Sequence, residues 1–198
     1  MASTCGLRPF RDYDEHDVIN LFAWDGAVPA NKGTIVKIKG DGWQAGGNSL
    51  GMMHDMQDGW AASYNNTVSS RYNVSAKIEL GTSGCKPLGM LLYDVRELDE
   101  NGEKLIYNPR KAAEMGAVIS GQAAPVLTRG VVLYSGATLA TANPSVGDYV
   151  YPAANGELTS ADAWDTSAAG GMIAGETPVG RVLGTKNSNN HILLHLEL

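Results

Sequence analysis

"DYVYPAANGELTS", residues 148–160, is the stretch that decides the fold class. Tyr149, Val150 and Tyr151 are strand formers, and Leu158-Thr159 resumes the same chemistry. Between them stands Asn155-Gly156, the residue pair best suited to the positive-φ positions of a tight hairpin turn. A β-hairpin is expected here, and its neighbours continue the pattern. "TRGVVLYSG" (128–136) and "TPVGRVLGT" (177–185) each read as a β-branched strand entered through glycine. In "NNHILLHLEL" (189–198), Ile192, Leu194, Leu196 and Leu198 fall on one face of a strand, and His191, Leu193, His195 and Glu197 on the other. A chain with such an ending is expected to have that segment tied into a sheet.

The first half repeats this logic. "NKGTIVKIKG" (31–40) is similar to the segment around Gly130, and "KPLGMLLYD" (86–94) to the one around Gly180, with Gly33 and Gly89 in the matching places. The two matches lie at nearly the same offset, which raises the idea of a duplicated β module. In "RYNVSAKIEL" (71–80), Tyr72, Val74, Ala76, Ile78 and Leu80 alternate with polar residues, as a half-buried strand requires. "PLGMLLYDVREL" (87–98) reads as a more apolar strand, turned at Asn101-Gly102 into a return strand.

Two helices are expected. Val18, Leu21 and Phe22 have i, i+3, i+4 spacing behind a possible Asp14 cap, so residues 14–24 read as a short helix. Asn108-Pro109 opens a second one over 109–119, with Gly121 as its stop. The fold class is then mainly β, with two related small barrel- or sandwich-like modules and one or two short helices. Its expected divisions are an N-terminal arm and short helix (1–25), a first β module (26–108) with a long loop at 41–70, a connecting helix (109–119) and a second β module (120–198). The glycine content supports this: 24 Gly in 198 residues is well above the usual ~7%, as a turn-rich protein requires.

Charge and composition bound the function. The formal charge of −6, with no basic run longer than Arg110-Lys111, gives nucleic-acid phosphates little to bind, so no direct nucleic-acid partner is expected. No window approaches the ~20 apolar residues of a membrane span, and residues 1–17 lack a signal-peptide core; synthesis in the cytoplasm and no membrane partner are the expectations. Cys5 and Cys85 have no metal-site spacing and read as reduced thiols, with a disulfide left open. His191 and His195 on a strand would be about 13 Å apart, at ~3.3 Å per residue, too far to share one ion. Asp99, Asn101 and Glu103 sit around a turn without the spacing of a calcium loop, and a solvated hairpin tip is the simpler account. "GTSGC" (81–85) is not a serine elbow, and Cys85 with His54 or His16 as base is the one nucleophile pairing on offer. No glycine loop for nucleotide phosphates occurs. No enzyme activity, metal or cofactor is expected.

Aromatic and thioether side chains give the best contact candidates. Trp43 and Trp60 bracket "QAGGNSLGMMHDMQDG" (44–59), which contains Met52, Met53 and Met56. Tryptophan and methionine are enriched at the centres of protein interfaces, although closing a local core over the sheet is an equally ordinary use of them. Residues 1–13, with Arg8 and Phe10, carry no strong period and suit an arm ordered against a neighbour.

With these residues in view, "SGQAAPVLTRGVVLYSG" (120–136), "PSVGDYVYPAANGELTS" (144–160) and "ETPVGRVLG" (176–184) resemble the β modules of tailed-phage head decoration, or capsid cement, proteins. The resemblance is best over 120–184 and looser over 18–198, and its motifs are structural, so it brings no catalytic residue. It implies a virion protein that binds the outer face of a capsid lattice and stabilises it. Implied partners are the major capsid protein and further copies of the chain, as a trimer or dimer. The alternative from a different class is a carbohydrate- or receptor-binding head-fibre or tail module, in which Trp43, Trp60 or Trp164 would stack on sugar rings.

Overall fold

The computed structural model describes residues 5–9, 17–25, 29–40, 77–160 and 177–198. The protein is mainly β, built from a closed five-stranded barrel, a six-stranded sheet and a small parallel ladder. Chain order runs β1 (Gly6–Pro9), β2 (Val18–Trp24), β3 (Ile35–Ile38), β4 (Lys77–Leu80), β5 (Gly89–Leu91) and β6 (Asp94–Arg96). A 3-10 turn (Leu105–Tyr107) and helix α1 (Pro109–Glu114) lead to β7 (Ala117–Ile119), β8 (Ala123–Leu127) and β9 (Arg129–Ser135). Helix α2 (Ala137–Ala142), β10 (Tyr149–Pro152), β11 (Leu158–Ser160), β12 (Gly180–Gly184) and β13 (Ile192–Glu197) complete it.

The barrel closes in the order β2-β4-β3-β5-β8, and the sheet runs β1-β9-β13-β12-β10-β11. Strand alternation makes one set of residues serve both layers. Val36, Ile78, Leu91, Ala124 and Val126 face inward with Phe22 and Trp24 to fill the barrel. Their neighbours Ile35, Met90 and Leu127 lie side by side in register on the other face. There they join Val132, Tyr134, Val150, Val182, Ile192, Leu194 and Leu196 of the sheet in a second core. The sheet thus lies with its inner face on the barrel wall. Within this core the Tyr134 hydroxyl accepts the Leu158 N–H at 3.2 Å, and burial pushes its pKa well above the usual phenol value.

The hairpin read at 148–160 forms between β10 and β11, with Asn155 and Gly156 at φ of 60° and 71°. The terminal strand β13 lies between β9 and β12, with Ile192, Leu194 and Leu196 buried, while Leu198 remains exposed.

Four expectations are corrected. Residues 18–24 are strand β2, not helix: a bulge between Ile19 and Phe22 puts two residues, Asn20 and Leu21, opposite one of β8, Pro125. That extra residue breaks the two-residue alternation and imitates helical spacing. Helix α1 stops at Glu114 because Gly116 adopts a φ of 62°, and Ala117–Ile119 then pairs in parallel with β6. The apolar strand expected at 87–98 is cut by a bend at Leu92-Tyr93 into β5 and β6, which belong to different sheets. Its return partner is reduced to one bridge, Leu98 to Lys104, before the 3-10 turn.

The layers also exchange strands across the expected divisions. Residues 6–9, read as part of an arm, pair with β9 as the sheet's edge, and β8 closes the barrel although it lies beyond residue 120. The echo segments fall on β3 and β9 and on β5 and β12; β3 pairs directly with β5, whereas β9 and β12 flank β13. Of residues 71–80, only Lys77–Leu80 are described, as β4; the loop at 41–70 lies outside the described residues.

Candidate functional site

Trp43, Met52, Met53, Met56, Trp60 and Phe10 lie outside the described residues, so of the expected contact residues only Arg8 has a described place. It is exposed on β1, opposite Leu133 of β9. From that point the register extends a surface across the sheet. Leu133 faces Leu193 of β13, and Leu193 faces Gly184 of β12. In the adjacent row, Val131 faces His195, His195 faces Arg181 and Arg181 faces Tyr149 of β10. Arg129 and Glu197 form the next pair.

These residues alternate with those of the core, so they occupy the face turned away from the barrel. Val131, Leu133, Leu193, His195 and Tyr149 are half-buried, and Arg8, Arg129 and Arg181 are exposed. The Arg181 guanidinium lies over the Tyr149 ring, 4.5 Å from its centroid, and also donates to the Tyr149 hydroxyl. Stacking holds the guanidinium flat on the sheet, with part of its donor fork still turned to solvent. Leu183, the residue of the β12 bulge, is 46% exposed beside this row. Among the described residues, none of the three arginines forms an ion pair. On a chain of net charge −6, this is a cationic, partly apolar face on which, among the described side chains, Glu197 supplies the carboxylate.

The second exposed feature is the unit from β6 to β7. Val95 bridges to Ala30 and packs in the barrel core. Arg96 donates to the Ala30 carbonyl (2.8 Å), to Asn31 Oδ1 (2.5 Å) and to Asp94 Oδ2 (3.2 Å). The unit has its own small core of Leu105, Ala112 and Ile119. Its 97–104 hairpin carries exposed Glu97, which pairs with Lys104 at 3.9 Å, and exposed Glu100 and Glu103, beside Leu98 (45% exposed) and Tyr107 (84% exposed).

Asp99 organises this hairpin. Its Oδ1 accepts the Asn101 and Glu103 amides, both at 2.8 Å, and its Oδ2 accepts from Lys111 of α1. Both oxygens are therefore engaged within the turn. The Lys111 ammonium first, then the Glu103 and Asn101 amides, hold the carboxyl below its ordinary range. A lowered folded value stabilises the turn above the unfolded carboxylate pKa of ~3.9 and loses that contribution as pH falls through the folded value. The 101 and 103 amides are accordingly expected to lose protection, measured against their intrinsic exchange rates at each pH, as pH falls through the folded value. Asp99→Asn, which keeps an acceptor but cannot titrate, should remove that pH dependence; amide exchange followed by NMR checks it.

Cys5 is buried and Cys85 half-buried, and they are not joined by a disulfide. His191 precedes β13, and His195 belongs to the outward face.

No family model, curated protein or solved structure matches the chain.

The arginine face was missed by sequence reasoning. Its signal was the alternation in "PVGRVLG", where Arg181 stands between buried Gly180 and Val182. That pattern places Arg181 outward, but only the strand order brings it beside Tyr149 and onto the same face as Arg8 and Arg129.

Proposed function

We propose that the chain is a structural virion protein that binds the outer surface of a phage capsid and stabilises it. The observation that carries this reading is the outward face of the six-stranded sheet, with Arg8, Arg129 and Arg181 spread over it. The segments that resemble decoration proteins form β8 to β12, so the resemblance and this face largely share the same strands. Such a face suits adhesion: arginine and tyrosine supply contact area and directed donors, and β13 at the sheet's centre fixes their spacing. On a repeating shell, modest contacts at each site add up through multivalency, so no deep pocket is required.

The test is mass spectrometry of purified particles of the virus that encodes the chain. The expected result is a copy number comparable to that of the shell subunit, falling when the salt concentration is raised. Absence from the particles would overturn the reading.

A further inference from the structure

The arginine face and the 97–104 hairpin carry opposite charge and lie on different sides of the molecule. The inner face of the six-stranded sheet rests on the barrel through Ile35, Met90 and Leu127, while the arginines are on its outer face. The hairpin belongs to the barrel's side, fixed there by the Val95–Ala30 bridge and by Arg96. A single copy therefore cannot dock its own hairpin on its own arginine face. A second copy can, and the chemistry matches. Glu97, Glu100 and Glu103 would meet Arg8, Arg129 and Arg181, and exposed Leu98 and Tyr107 would lie against half-buried Val131, Leu133 and Leu193.

We infer that copies of this chain associate head to tail, the 97–104 hairpin of one seated on the outer sheet face of the next. The two surfaces differ, so the contact is heterologous and generates a ring if the rotation between copies closes. Charge complementarity sets the register and the rate of encounter, while the Tyr107 ring against a guanidinium and the apolar side chains supply the desolvated centre. Asp99 and Lys111 contribute by holding the hairpin in one shape before docking. The inference concerns the chain in free solution; a shell bound as in the capsid reading would compete with the hairpin for the same face, and either reading can fail alone.

The test is analytical ultracentrifugation of the purified full chain across concentration. Two charge-reversed forms are compared with the wild type: Arg8→Glu with Arg181→Glu on the face, and Glu100→Lys with Glu103→Lys on the hairpin. All four positions are exposed, and unchanged thermal unfolding confirms that each form folds; Arg181→Gln and Glu100→Gln replace them if a reversal disturbs the fold. The wild type is expected to form an oligomer of defined size that dissociates as ionic strength rises. Each reversed form alone should associate at least about tenfold more weakly.

Each reversed form retains one intact surface, so mixing the two joins the intact hairpin of one to the intact face of the other. The mixture should regain association, because the dimer so formed also exposes a glutamate-bearing face and a lysine-bearing hairpin, which are themselves of opposite charge. A wild type that stays monomeric would overturn the inference. So would a hairpin variant that assembles like the wild type, the sign of a face-to-face contact, or a mixture that yields no dimer.

Discussion

Gly180→Ala is expected to remove a large part of the protein's stability. A Cβ on Gly180 would overlap the carbonyl oxygen of His195 and lie 2.9 Å from its carbon and 3.0 Å from Leu196 Cα. All three neighbours are backbone atoms of β13, which β9 holds from the far side, so neither a side-chain rotation nor a small strand shift relieves the overlap. Relief means parting β12 from β13 at the middle of the sheet. We expect a cost of about 4 kcal/mol, at the upper end for single substitutions, against a total of roughly 5–15 kcal/mol for a domain.

Gly89→Ala should act in the same way. Its Cβ would overlap the Leu127 carbonyl oxygen and come within 2.6 Å of Val126 Cγ1, whose branched side chain has few other rotamers. Gly184→Ala is the control: the nearest atom to its added carbon is Leu193 Cβ at 3.2 Å, and the change should cost less than about 1 kcal/mol. Urea unfolding midpoints of the three variants check the order. A Gly180→Ala protein with a wild-type midpoint would show that the strand crossing is not as close as described.

Ending the chain after Asn190 is expected to prevent folding altogether. It removes β13 with Ile192, Leu194 and Leu196, each worth roughly 1.5–3 kcal/mol when buried. It also leaves β9 and β12 as bare edges inside the sheet, inviting association between chains. The expected product is insoluble, or lacks the near-ultraviolet circular dichroism of packed aromatics. Removing Leu198 alone, an exposed residue, should be tolerated.

These two sites also mark what the sequence made legible. The alternation of Ile192, Leu194 and Leu196 reported both the strand and its buried face, because a period of two survives wherever a strand is regular. The matched glycines at 89 and 180 were visible as an echo, and the structure gives that echo a physical content: at each, one strand's backbone presses against its neighbour. Reading failed where regularity failed. The β2 bulge shifted Phe22 out of phase with Ile19 and made a strand look helical. Helix α2 went unread because "ATLATA" carries no capping residue, and its N-terminal end is held from a distance by Glu157, which accepts from the Thr138 N–H at 3.1 Å and from its hydroxyl. The arginine face was hidden for another reason. Its members come from β1, β9 and β12, and pairing between strands so far apart in the chain leaves no local trace.

Strand order in the six-stranded sheet also bears on how the protein is made. β1 and its partner β9 are separated by more than a hundred residues, and β13, which fills the sheet's centre, lies later in the chain than either strand it joins. The sheet therefore cannot form until β13 has been synthesised, and before then β9 and β12 have no strand between them. Late closure of this kind leaves strand edges open during synthesis, so growing chains must be kept apart until β13 arrives.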